Sequence, residues 1–111
     1  MALLYENLRP GRTMGDVASA AMAALADLPP GVHMRGYFGY GVGIAFPPSW
    51  VERSYEIAVG RDDVLLPGMT FHTHRVLRMP GVMGVGFSES VVITDAGFDL
   101  LTLHPRRLVV L

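Results

Sequence analysis

Past Pro29-Pro30-Gly31 the hydrophobic period of this chain changes from that of a helix to that of a strand, and no later segment changes back. Before the prolines, residues 14–28 (M-G-D-V-A-S-A-A-M-A-A-L-A-D-L) are alanine-rich. They put Val17, Ala21, Ala24, Leu25 and Leu28 on one helical face. Thr13 is an N-cap with Asp16 three residues on, a capping box with a shorter acid than the usual glutamate. Residues 2–8 read as the end of a short helix, with Leu3, Leu4 and Leu8 on one side, that Arg9-Pro10-Gly11-Arg12 breaks. After the prolines, T-F-H-T-H-R-V-L, V-G-F-S-E-S-V-V-I-T and R-L-V-V-L alternate in polarity. Asp95-Ala96-Gly97 is a hairpin signal between Val91–Thr94 and Phe98–Leu101. Two helices followed by four to six strands predict an α+β layer arrangement, as one domain over residues 1–111.

Half of these 111 residues are hydrophobic and 17% are charged, which is rich for a small fold with much surface and little interior. The excess is expected to be buried against a partner: a second copy, or a missing half of a larger domain. A net charge of −1 gives no nucleic-acid footprint. The lack of cysteine removes disulfides, thiolate zinc sites and cysteine nucleophiles. M-A-L-L-Y-E-N-L-R has neither the basic start nor the apolar run of a signal peptide, and no window nears the length of a membrane helix. The expectation is a cytoplasmic protein that binds neither nucleic acid nor membrane.

Residues 38–48, F-G-Y-G-V-G-I-A-F-P-P, carry glycines at 39, 41 and 43 around Tyr40. They lack the Gly-Lys-Ser/Thr of a phosphate loop and the third glycine of a dinucleotide fingerprint. Alternate glycines leave one strand face bare, so either a neighbouring element or a substrate can approach the backbone there. His72 and His74 lie two apart on an extended segment and share a face. With a third ligand, for which Glu89 is a candidate, they could hold zinc. Glu89 shares its face with Phe87 and Val91, while Ser88 and Ser90 take the other. A buried acid there either does acid–base work with a raised pKa or pairs with one of Arg75, Arg78, Arg106 and Arg107. Trp50, after Pro47-Pro48-Ser49, is a pocket wall or an anchor.

G-Y-G-V-G, L-L-P-G-M-T-F, G-V-G-F-S-E-S-V-V-I-T-D-A-G-F-D-L-L-T and P-R-R-L succeed one another along the chain. In that order they resemble the C-terminal half of the pita-bread fold of the creatinase, methionine aminopeptidase and Xaa-Pro peptidase superfamily (peptidase M24). R-P-G-R-T-M-G-D-V is similar to the link and helix that begin that half. The resemblance covers essentially the whole chain. It implies two N-terminal helices packed on a curved, mainly antiparallel sheet.

Metal-dependent members of this family take two aspartates from the first half of the domain, and a histidine and two glutamates from the second. By the resemblance the second-half positions fall on Tyr40, His74 and Ser88, with Glu89 where an aspartate usually follows. Tyrosine and serine are poor ligands for a dinuclear divalent site, which wants bridging carboxylates. The implied site therefore has no metal and no cofactor.

Gly39-Tyr40, Ala45 to Trp50 and Met69 to His72 are similar to blocks of the metal-free ectoine-hydrolase-like branch. That likeness implies C–N bond hydrolysis on a small amide, amidine or dipeptide-like substrate. Tyr40, His72, His74 and Glu89 would be catalytic, with Gly41, Trp50 and Ser88 against the substrate. Tyr40 would donate a hydrogen bond as an oxyanion hole does, a histidine would shuttle protons, and Glu89 would orient or activate water. Gly86 stands where this branch tends to carry an acid. The competing expectation is a non-catalytic half-domain that serves as a binding module or closes its apolar surface in a homodimer.

Overall fold

A computed structural model describes residues 2–49 and 51–107, with the side chains of residues 52–54 outside that description. Two helices, α1 (Ala2–Asn7) and α2 (Met14–Ala23), precede five strands: β1 (Tyr37–Gly41), β2 (Glu52–Ala58), β3 (Thr70–Met79), β4 (Met83–Thr94) and β5 (Gly97–Leu100). The strands form one open sheet in the order β2-β1-β3-β4-β5, and every neighbouring pair is antiparallel. The expected α+β layering of two N-terminal helices on an antiparallel sheet is what the chain adopts. None of the described helices is long and apolar enough to cross a membrane.

The second helix starts where its capping predicts. The Asp16 N–H donates to Thr13 Oγ1 at 3.0 Å. Other N–H groups at the start of α2 find loop carbonyls: Met14 donates to Asp63 O at 2.8 Å and Gly15 to Arg61 O at 2.9 Å. A Cβ on Gly15 would lie 2.6 Å from the Arg61 carbonyl oxygen, so only glycine permits this docking.

The far end of α2 departs from expectation. The helix stops at Ala23 rather than near Leu28. From there the bonds tighten to three-residue spacing, with Leu25 N–H on Met22 O and Leu28 N–H on Leu25 O. Pro29 biases Leu28 away from helical angles, which leaves no run for another α-turn. Ala24 is therefore exposed rather than on the buried face.

One face of the sheet packs under the helices. Phe38, Ile57, Phe71, Val91 and Ile93 from the strands meet Leu4, Leu8, Met14 and Val17 from the helical segment, all of them buried. The polarity alternation predicted for β3 and β4 is the reason: odd-numbered residues of the paired stretches face the helices. The Asp95-Ala96 turn closes the β4–β5 hairpin, with Thr94 opposite Gly97. In R-L-V-V-L, Arg107 lies outside any strand and residues 108–111 lie outside the described residues. The strand β2 has no counterpart in the sequence reading, because E-R-S-Y-E-I-A lacks clean alternation.

Candidate functional site

The pairing of β1, β3 and β4 decides which side chains share the face away from the helices. Tyr40 lies opposite His72, and His74 lies opposite Ser88. The even-numbered residues of β3 therefore meet Tyr40 and Ser88 on the uncovered face. A register shift between Tyr37 and Gly39 in the β1–β2 pairing inserts an extra residue at Phe38. It brings Tyr37 onto the same face as Tyr40, with ring centroids 6.4 Å apart.

The rings form a contiguous floor. Tyr40 sits 5.2 Å from His72 and 5.8 Å from His74, Tyr37 sits 5.3 Å from His74, and the two imidazoles are 5.9 Å apart. An open depression of about 310 Å³ is lined by Tyr40, His72, His74, Val76, Gly86 and Ser88. It contains all the positions at which the resemblance puts second-half metal ligands. Gly86 lines it without supplying an acid.

Burial holds His72 below its usual range. Burial, then the charges of His72 and Arg75, does the same to His74. Both imidazoles are therefore neutral near pH 7, each with one lone pair and one N–H. His74 Nδ1 is buried with no hydrogen-bond partner among the described residues. Burial, then the Glu56 carboxylate and Tyr40, pushes the Tyr37 phenol up to about 12.

Glu56 is a group that the sequence reading missed, and it stands opposite Tyr40 on β2. Its parity with buried Ile57 was the available signal, but it required recognising β2 first. Glu56 is one carboxylate at the rim, and among the described residues no three His, Cys, Asp or Glu side chains come together as a cation site. The two imidazole planes are nearly parallel, 18° apart, and stack with their centres 5.9 Å apart. This donor set does not fit the paired divalent cations of the family's metal-dependent members.

Glu89 requires a correction. It was expected around the same pocket as Tyr40 and His72, or as a third zinc ligand. Its register partner is Thr73, so it points to the helix side of the sheet, where it is 1% exposed. There it accepts a hydrogen bond from the Tyr5 hydroxyl and a 2.8 Å ion pair from Arg106 Nε. Of the four arginines considered as partners, Arg106 is the one that reaches it. The Arg106 guanidinium also lies 4.7 Å from the centre of the Tyr5 ring. Thr73 Oγ1 donates to the Glu89 carbonyl at 3.1 Å, tying β3 to β4 directly behind His72 and His74. Burial, then the bond to Glu89, pushes the Tyr5 phenol up to about 12.

Gly39 has a packing cause. A Cβ on Gly39 would lie 2.9 Å from the His72 carbonyl oxygen and 3.3 Å from Thr73 Cα. The neighbouring strand, rather than a substrate, is what approaches Gly39. Gly39→Ala is expected to lower stability by about 1–3 kcal/mol, read as a fall in the urea midpoint. An unchanged midpoint would mean that β1 and β3 separate freely. Gly41 is buried between β2 and β3, opposite Glu52 and Phe71. Trp50 lies outside the described residues.

Comparison with known proteins places this arrangement. Residues 1–95 match the pattern of Metallopeptidase family M24. The chain is 36% identical over 110 residues to the ectoine hydrolase of Halomonas elongata, covering 95% of this chain and 26% of that protein. Its fold superposes on the crystal structure of dipeptidase PepE from Mycobacterium ulcerans with a TM-score of 0.75 and 28% identity, over 96% of this chain and 28% of that one. A dipeptidase from Pyrococcus horikoshii OT3 shares the fold with a TM-score of 0.80 at 24% identity, over 99% of this chain and 30% of that one. The chain thus spans about a quarter of the length of the curated relatives it matches. Helices on an open antiparallel sheet, superposable on a dipeptidase and matched along most of the sequence, make this chain a member of metallopeptidase family M24, with its pita-bread fold.

Proposed function

We propose that the chain is the C-terminal portion of the catalytic domain of a hydrolase that opens C–N bonds without paired cations. Its substrate in this reading is a small amide, amidine or dipeptide-like molecule. The observation that carries the reading is the depression lined by Tyr40, His72, His74 and Ser88, with a phenol, an imidazole and a hydroxyl at the three positions where the family's metal-dependent members take a histidine and two glutamates. The likeness to an ectoine hydrolase supports the same direction. A further half-domain would complete the pocket.

The chemistry available to these groups is general-base hydrolysis. The Tyr40 hydroxyl donates to the oxygen or nitrogen that gains charge as water adds. A neutral imidazole, from His72 or His74, accepts a proton from that water and returns it to the departing nitrogen as the C–N bond breaks. The Glu89 carboxylate acts from behind the sheet as a positioning group, through the Tyr5 hydroxyl and its contact with Thr73 on β3.

A base works while it is unprotonated, so kcat/KM is retained at neutral pH and falls as acid protonates the pair. Because both histidines titrate below their ordinary 6.5, the acid limb is expected below that pH. A limb above it would remove the imidazoles from the role of base.

The test of the reading is turnover by the complete polypeptide on cyclic amidines, N-acyl amino acids and Xaa-Pro dipeptides, before and after exhaustive chelation. Turnover unchanged by chelation is expected. Loss on chelation with recovery on adding manganese, cobalt or zinc would overturn it.

A second reading, a non-catalytic half-domain that pairs with its own copy, has one observation in its favour. At the end of the β3–β4 hairpin Val82, Met83 and Val85 are 72%, 60% and 53% exposed, an apolar tip that a partner would cover. Light scattering at dimer mass with no hydrolysis of any substrate would favour it, and a soluble monomer would remove it.

A further inference from the structure

Behind the sheet, on the face away from Tyr40, a cavity of about 280 Å³ lies between α1, the end of α2 and β3. Leu4, Ala21, Leu25, Leu28 and Leu77 give it an apolar wall. Arg75 is the charged residue in that wall. Its Nη1 donates to the Phe38 carbonyl at 3.1 Å and to the His74 carbonyl at 2.6 Å, and its guanidinium lies 4.3 Å from the centre of the Phe38 ring. Those contacts hold one edge of the guanidinium to the sheet.

The other edge is unmatched. Arg75 Nη2 is buried with no hydrogen-bond partner among the described residues. No described aspartate or glutamate lines the cavity or pairs with Arg75. Burial pulls its pKa down to about 10, the mark of a cation short of compensation. An unpaired guanidinium edge beside an apolar space is costly, and an anion there would relieve it. A carboxylate matches the planar fork better than a spherical anion does, and the apolar wall asks for a hydrocarbon tail.

We propose that this cavity binds a monocarboxylate with an apolar tail, its carboxylate on the Arg75 guanidinium and its tail among the leucines of α1, of the turns that follow α2, and of β3. Nη2 has no other bond to lose, and the side chain turns to bring it to the carboxylate. The site lies across the sheet from the reaction face and stands whether or not the hydrolase reading does.

The test is calorimetric titration of the complete polypeptide with octanoate, octanol, octylammonium and acetate. Saturable binding of octanoate is expected, with octanol and acetate much weaker and octylammonium absent. Arg75→Met is expected to weaken octanoate by roughly tenfold to a hundredfold. Ala24→Trp fills the cavity from its exposed rim and leaves Arg75 in place, and it is expected to abolish binding. Circular dichroism checks that both variants fold. Octanol binding as tightly as octanoate would reduce the cavity to an apolar hole and overturn the proposal. So would octanoate binding that survives Ala24→Trp, or no saturable binding by the folded complete polypeptide, in which another part of the chain fills the space.

Discussion

Glu89→Ala is expected to destabilise the protein by about 3 kcal/mol, the lower end of the range for breaking a buried ion pair. The side chain is 1% exposed and accepts from two donors, the Tyr5 hydroxyl and Arg106 Nε. Its removal leaves the Tyr5 hydroxyl with Thr73 Oγ1 at 3.3 Å as its remaining contact. A buried hydroxyl short of a partner accounts for about 1–3 kcal/mol by itself. Arg106 limits the loss, because its side chain is 41% exposed and can return to water. Glu89→Gln keeps the shape and an acceptor for Tyr5, so its cost is expected to be about half as large. Urea unfolding of the three proteins measures both. The same pair of variants separates two roles. A positioning group lets Glu89→Gln retain most turnover once folded, whereas a group on the reacting atoms would lose about a hundredfold or more. A Glu89→Ala protein within about 0.5 kcal/mol of the parent would mean that the Tyr5–Glu89–Arg106 contact contributes nothing.

How much of this was legible in the sequence follows from what each signal measures. The cap at Thr13 and Asp16 is local chemistry, and it marked the start of α2 correctly. Alternation in β3 and β4 is also local. It showed that His72 and His74 share a face, and that Ser88 and Glu89 cannot. Alternation says nothing of which face of β4 meets which face of β3, since that is set by the pairing of strands distant in sequence. His74 opposite Ser88 and Thr73 opposite Glu89 is such a fact. It sends Glu89 behind the sheet. Irregularity hides more. The extra residue at Phe38 breaks the alternation of β1, so Tyr37 gave no sign of sharing a face with Tyr40. Glu56 was missed for a related reason, since β2 mixes charges and apolar residues without a period. The aromatic floor thus became visible only once the bulge and the register were in hand. The end of α2 was misread because alanine propensity favours helix through residues 24–26, while Pro29 acts from beyond them.

Tyr40→Phe is expected to lower kcat by about a hundred- to thousandfold, the loss seen when one oxyanion donor is removed. The substitution isolates the hydroxyl. The ring that packs 5.2 Å from His72 and 5.8 Å from His74 stays, and so does the glycine-flanked backbone that lets β1 approach β3. A hydrogen bond that strengthens as charge develops lowers kcat when lost and leaves KM nearly unchanged. A hydroxyl that merely binds the substrate would raise KM at constant kcat. Tyr37→Phe is the matched control, since Tyr37 carries a similar ring on the same face, 6.4 Å from Tyr40 and 5.3 Å from His74, but does not line the depression that Tyr40 lines. Its kcat is expected to stay within about a factor of ten of the parent. Equal losses from both phenylalanine variants would mean that the Tyr40 hydroxyl is not set apart as the donor. A Tyr40→Phe protein with full kcat would take the hydroxyl out of the reaction and leave the imidazole pair to carry it without a donor.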